Sequence, residues 1–526
     1  MNKLFQQIVG NKPRKNAFDL SHERKFSMDM GELVPMLCED VIPGDTFQIN
    51  TEVMIRFAPM LAPIMHRINV YTHFFFVPNR LIWDDWEEFI TGGPDGDLAP
   101  IMPTIAIYSG SGWAANGSLA DYLGYATIAL APENIEVNAL PFRAYQLIYN
   151  EYYRDQNLID EIIIEKTSGL GVLDNSTQLS KRTRAWEKDY FTSALPWTQR
   201  GGEVSLPMGG NAPIVFNGDY TKTQRLTDAS GNPSNVSVAH IDNVNVDNGH
   251  TLSDSNSNAA WLDPNGTLDV DLENVTATTI EELRRATKLQ QWLERNARGG
   301  ARYIEQILVH FGVTSSDARL QRPEYLGGGK TPVTISEVLQ QSGMSTVGGE
   351  LINNTPQGEM TGHGISVGNS HRFKKFFEEH GQVIGIISVL PKTAYMQGTR
   401  KHLMKTDKFD YFFPEFAQLG EQPVSSKELF NDYVSEETTF GYQSRFAEYK
   451  YIPSSVHGDF KENLNFWHMA RDFVSEPVLN GDFVEADPTT RIFSVLEESN
   501  QKLWVSIYHN FKAIRPIPKF NNPSLL

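Results

Sequence analysis

Apolar and polar positions alternate in short runs that are separated by long stretches without that period. Residues 46–57, TFQINTEVMIRF, alternate, and residues 66–77, HRINVYTHFFFV, alternate before becoming continuous at Phe74-Phe75-Phe76-Val77. Alternation marks a strand with one buried face, and a continuous apolar run marks a strand buried on both. Pro43-Gly44-Asp45, Pro59, Pro63 and Pro78 bound these runs, as turn residues do. The same reading predicts strands at Val383–Leu390, Phe446–Ile452, Arg491–Leu496 and Leu503–Ile514. Loops of the length that separates them are usually functional in a compact domain. Helices are predicted inside them. Pro141, Tyr145, Ile148 and Tyr152 fall at helical spacing in Pro141–Asn157, and Ile280–Ala297 runs from Thr278-Thr279 with Glu281-Glu282 to Gly299-Gly300. The first pair is a capping pattern and the second a stop signal.

Charge divides the 526 residues further. The chain is acidic overall, at −18, yet residues 1–25 hold Lys3, Lys12, Arg14, Lys15, Arg24 and Lys25 against Asp19 and Glu23. After Glu498 there are Lys502, Lys512, Arg515 and Lys519 and no acid. Two basic ends, 1–25 and 499–526, on an acidic chain point to a polyanionic partner, because each phosphate contact releases counterions. The segment 201–279 is the opposite, with ten acidic residues against Lys222 and Arg225. It is rich in Asn, Asp, Ser and Gly, so it buries little apolar surface alone. It reads as an exposed excursion, with short strands suggested by Val236, Val238, Ile241, Val244 and Val246.

The single cysteine, Cys38, excludes an intrachain disulfide and reads as a buried or half-buried packing residue. No apolar stretch reaches the ~20 residues of a membrane helix. Residues 1–18 lack the apolar core of a signal peptide, so secretion is not expected.

Motifs that could carry catalysis dissolve on inspection. Gly327-Gly328-Gly329-Lys330-Thr331 lacks the leading glycine of a phosphate loop, since Glu324 stands there, and Pro332 follows. It reads as a glycine-rich turn. Asp84, Asp85, Glu87 and Glu88 in WDDWEEF read as an acidic helix start, with Trp83 and Trp86 packing. His363, His371 and His380 lack zinc-site spacing, and Asp263–Asp271 lacks the glycine position and closing glutamate of a calcium loop. No cofactor, metal or catalytic residue is therefore expected. The alternative kept open is a β-sandwich that binds or cleaves glycans through WDDWEEF.

Several blocks resemble a known family. NAFDLSHERKFSMDMG at Asn16–Gly31 is followed by Leu33-Val34-Pro35 and Pro43-Gly44-Asp45. HFFFVPNR stands at His73–Arg80, LIWDDWEEFITG at Leu81–Gly92, ALPFRAYQLIYNEYYRDQN at Ala139–Asn157 and ALPW at Ala194–Trp197. The most specific is ARGGARYIEQILVHFGVTSSDARLQRPEYLGG at Ala297–Gly328. Together they resemble the major capsid proteins of the Microviridae, nearest the gokushovirus branch.

That resemblance implies a mainly β fold, an eight-stranded antiparallel jelly roll (the viral capsid β-sandwich), with large inserted loops containing helices. It implies one such domain over 1–526 that carries the two basic ends and the 201–279 insertion. It also implies a T=1 icosahedral shell of about sixty copies around circular single-stranded DNA, assembled in the bacterial cytoplasm and found in the virion. Implied partners are an internal scaffolding protein, a small basic DNA-binding protein, a minor pilot protein and a host surface receptor. On this reading Lys3, Lys12, Arg14, Lys15, Arg24, Lys25, Lys512, Arg515 and Lys519 face DNA, with Lys12, Arg14 and Lys15 touching it. The insertion forms protrusions that present Asp219, Asp228, Asp242, Asp247, Asp254 and Trp261 to a receptor.

Overall fold

The structure is a computed structural model. It describes residues 14–107, 115–127, 135–170, 179–202, 204, 214–216, 226–227, 261–262, 268–270, 280–300, 302–339, 345–347, 350–352, 360–434, 436–495, 497 and 500–519. Two compact units emerge, one from residues 1–198 with 296–526 and one from residues 199–295.

The larger unit is built on two antiparallel sheets. Their strands are β1 (Asn16–Asp19), β2 (His22–Met28), β3 (Glu32–Val41), β4 (Thr46–Phe57), β5 (Ile68–Pro78), β6 (Glu324–Pro332), β7 (Thr334–Leu339), β8 (Met360–Phe376), β9 (Gly381–Pro391) and β10 (Leu503–Arg515). β1 and β2 both pair with β10, so they act as one interrupted strand. The first sheet then runs β1/β2, β10, β4, β8, with β7 added at its edge. The second runs β3, β9, β5, β6, with the two-residue strand Arg182–Thr183 added beside β3 and left out of the count below. Counting β1/β2 as the first of eight strands and leaving out β7, the orders are 1-8-3-6 and 2-7-4-5. That interleaving of two four-stranded sheets is the jelly roll.

The core lies between the sheets. β4 alternates as its sequence predicts and turns Phe47, Ile49, Val53, Ile55 and Phe57 inward. They meet Phe74, Phe76, Ile387 and Val389 of the second sheet. Phe47 packs edge-on against Phe511 at 4.9 Å and Phe377 at 5.1 Å, and Phe377 lies 4.8 Å from Phe76. Each such buried side chain contributes roughly 1.5–3 kcal/mol.

The second sheet is covered on its outer side as well. Every residue of β9 is buried. Phe75, Ile384 and Ile386 face outward into Trp83, Phe142 and Tyr145. Phe142 and Tyr145 belong to an α-helix, Leu140–Ile148, which continues as a π-helical turn, Tyr149–Tyr153. The helix predicted over 141–157 thus ends earlier, where Arg154 turns extended. Tyr145 ties this layer down by donating to the Leu33 carbonyl at 2.8 Å, and the buried Arg143 donates to the carbonyls of Ile82 and Thr167. Cys38 is half-buried, and burial pushes its thiol up to about 12. It packs against the cluster on the outer side of the second sheet, with its sulfur 3.7 Å from the Gln382 side chain.

Three local expectations are corrected. Residues 446–452 form no strand. Phe446 takes a left-handed φ of 59° and starts a 3-10 turn, Ala447–Tyr449, with its own ring edge-on to Phe412 at 5.1 Å. Packing overrides β propensity there. Residues 491–495 make only an isolated bridge at Phe493. Arg491 is held instead by the carbonyls of Asn465 and Ala470, each at 2.9 Å. The Gly327–Lys330 run is no turn but part of β6, paired with Thr72 and His73 of β5. A Cβ on Gly328 would lie 2.1 Å from the Thr72 carbonyl oxygen. Close approach of two backbones, not a change of direction, requires glycine there.

In the smaller unit the described residues form two nested ribbons. Ile214–Phe216 pairs with Leu268–Val270, and Leu226–Thr227 pairs with Trp261–Leu262. The predicted helix is found as Ile280–Gly299, with Glu281 and Glu282 in its first turn. Its proposed cap at Thr278-Thr279, and the suggested strands between Val236 and Val246, lie outside the described residues.

Candidate nucleic-acid interface

The outer face of the first sheet, unlike that of the second, is largely bare. Ile49, Phe373 and Phe511 point inward, so the residues flanking them point outward. Register then aligns Arg372, Asn50 and Asn510 in one row across β8, β4 and β10. It aligns Lys374, Gln48 and Lys512 in the next. The six side chains line an open groove of ≈ 1000 Å³. Three cations and three amides on a flat sheet can bind phosphate oxygens and base edges together. The field has bounds. Asp19 stands opposite Lys512 on β1, and Glu52 opens the row beyond Asn50.

The sequence-predicted basic residues fall into two groups. Arg14, Lys512 and Lys519 are exposed. Lys15 donates to the Gly44 carbonyl at 2.6 Å and lies 4.7 Å from the Phe376 ring, and Lys25 pairs with Glu23 at 2.7 Å on the surface. Arg24 instead turns to the Tyr122 carbonyl at 2.7 Å, and burial lowers its pKa. Arg515 sits 3.3 Å from the fully buried Asp45 and donates to the Asp40 carbonyl at 2.8 Å. Arg24 and Arg515 therefore carry packing roles. Lys3 and Lys12 lie outside the described residues, as do Asp219, Asp228, Asp242, Asp247 and Asp254; Trp261 lies in a two-residue strand.

Sequence reasoning missed Gln48, Asn50, Arg372, Lys374 and Asn510. Alternation in 46–57 marks the first two as outward, but only strand register brings them beside β8 and β10. The carboxylates of WDDWEEF lie at and just before the start of a helix. Asp85 accepts from Ser168 at 2.5 Å before a short helix, Trp86–Thr91, whose first turn holds Glu87 and Glu88. Among the described residues, no group of three His, Cys, Asp or Glu side chains could hold a metal ion.

Comparison with known proteins finds relatives along the whole chain. The family profile for "Capsid protein (F protein)" matches residues 6–525. The capsid protein VP1 of Bdellovibrio phage phiMH2K is 36% identical, over 99% of this chain and 97% of its own length. That of Chlamydia phage 1 is 35% identical, over 100% and 98%. That of Spiroplasma virus 4 is 32% identical, over 99% and 97%. The likeness thus spans the jelly roll and every long connection, and the chain belongs to the capsid protein (F protein) family of the Microviridae, on its gokushovirus side, whose members are shell components of the virion.

Proposed function

We propose that this chain builds a T=1 shell of about sixty copies around a circular single-stranded DNA genome, and that it has no catalytic role. Assembly takes place in the bacterial cytoplasm with an internal scaffolding protein, a small basic DNA-binding protein and a minor pilot protein. The first sheet's outer face is turned toward the genome, and the acidic insertion 201–279 is turned outward to a host receptor. The single observation that carries the DNA-facing part is the two rows Arg372–Asn50–Asn510 and Lys374–Gln48–Lys512. An acidic protein gains contact with a polyanion only through such a local patch. Basic residues near the chain ends, Arg14, Lys15 and Lys519 among those described, extend the same role.

The test combines Arg372→Ala, Lys374→Ala and Lys512→Ala in one chain. Purified particles should then package less DNA. The salt dependence of single-strand binding should flatten by a slope of about 2, at ~0.7 for each phosphate no longer neutralised. Unchanged genome content together with an unchanged slope removes this face from the DNA interface.

A further inference from the structure

Residues 401–419 gather several exposed aromatic rings on the larger unit. They form three 3-10 turns, Lys401–Leu403, Lys408–Asp410 and Pro414–Phe416. The turns are well tied: Asp410 accepts from the backbone N–H groups of Thr406 and Asp407, both at 3.0 Å. Yet they hold aromatic side chains out to solvent. Phe409 is 50% exposed, Tyr411 53%, Phe412 50%, Phe413 42%, and the adjoining Tyr449 56%. The rings touch through Phe416 and Phe446, with centroids 5.1 Å apart for Phe412–Phe446 and 5.9 Å for Phe409–Phe416.

Beneath them lies a buried ion pair. Lys405, with a side chain 3% exposed, stands 3.1 Å from Glu448, whose other oxygen accepts from Gln422 at 2.8 Å. The Lys405 ammonium sits 4.1 Å from the Tyr449 ring and 5.3 Å from that of Tyr411. The pair fixes both rings from below by cation–π attraction. This is a preformed platform, whose binding loses little side-chain freedom.

We propose that this aromatic platform is a subunit–subunit contact of the shell, covered in the particle by a second copy of this chain. The inference rests on the capsid reading. Area supports it. Five half-exposed aromatic rings present roughly 400–600 Å², the upper range of the largest patch on a monomer and over half of the ~800 Å² that each partner buries in a stable interface. Charge excludes nucleic acid as the occupant. Across 401–419, Lys405 is neutralised internally by Glu448, and Lys401 and Lys408 are outnumbered by Asp407, Asp410 and Glu415. Aromatic enrichment with little net positive charge is the composition of a protein interface core. A rigid surface of this kind suits a permanent neighbour better than a transient one.

The experiment compares hydroxyl-radical labelling of these five rings in dissociated subunits and in particles of the full chain, made by co-expression with its phage's other structural genes. Labelling should fall at least about fivefold in particles, as for rings in a desolvated interface centre. Phe409→Asp should leave the subunit's melting curve unchanged and abolish particles. If that variant fails to fold, Phe413→Ser and the labelling comparison still decide. Equal labelling of particles and subunits, or normal assembly of the substituted chain, overturns the proposal while the shell reading stands. Protection in immature particles that disappears on maturation also overturns it, since a scaffold would then be the occupant. Failure of the unsubstituted chain to form particles overturns the shell reading and the proposal with it.

Discussion

The two sheets of the sandwich share a core but differ in their outer faces. β4 alternates buried and open positions along its length, whereas β9 is buried at every residue. The cause is the chain itself. The connection after β5 carries Trp83, Phe142 and Tyr145 back over the second sheet. Among the described residues, no comparable layer covers Gln48, Arg372 or Lys512 on the first. A protein that seals one sheet with its own loops and leaves the other polar and open has one face set for stability and one available to other molecules. Inward-facing residues on both sheets therefore pack the core, while outward-facing residues are packed on one sheet and open on the other.

The largest test of this contrast exchanges outward residues. Ile384→Ala, on the sealed side, should cost about 2–5 kcal/mol by denaturant titration. Met54→Ala, on the open side, should fall within about 0.5 kcal/mol. Equal losses would mean that the faces do not differ.

A second test concerns the tie between the sheets. His509 of β10 is fully buried and accepts at Nδ1 from the Thr51 hydroxyl at 2.9 Å. Its Nε2–H donates to the Met36 carbonyl of β3 at 3.1 Å. Burial, aided by the charges of His22 and Arg24, lowers its pKa to about 4 from 6.5. The unfolded chain binds the proton more readily, so stability is full above pH 6.5. It declines by roughly 3 kcal/mol as pH falls to about 4, and this contribution is flat below. His509→Gln should remove that part of the pH dependence, as read from melting curves between pH 7 and 4.

A third compares two cations on one strand. Arg515→Ala leaves the buried Asp45 without its ion-pair partner and should cost about 1–3 kcal/mol. Lys512→Ala should change stability by less than about 0.5 kcal/mol and reduce only DNA binding. Thermal melts of the two variants separate the roles.

Much of this architecture was legible in residue order. The alternation of 46–57 yielded β4 at its full length, the continuous apolar run yielded the buried end of β5, and 503–514 yielded all but the last residue of β10. Where local signals competed with packing they failed. Phe446–Ile452 carries four β-prone residues, yet the left-handed Phe446 and its ring partner set the conformation. The glycines of β6 were legible as glycines but not as an edge pressed against β5. The DNA-facing candidates were half legible. Basic residues near the ends stood out by charge, but Arg372 and Lys374 lie far from either end, and only strand register sets them beside Lys512.

The position of β10 bears on when the protein can fold. It lies between β2 and β4, and its approach is anchored by Ser27 donating to Gln501, 474 residues later in the chain. Until residues 503–515 leave the ribosome, β4 lacks its partner on that side and β2 lacks its paired strand. Such long-range closure is slow, and exposed edges invite wrong pairing. The first sheet thus gains its second strand only when synthesis reaches β10, and a chain cut short before that strand would expose the edges of β2 and β4 together.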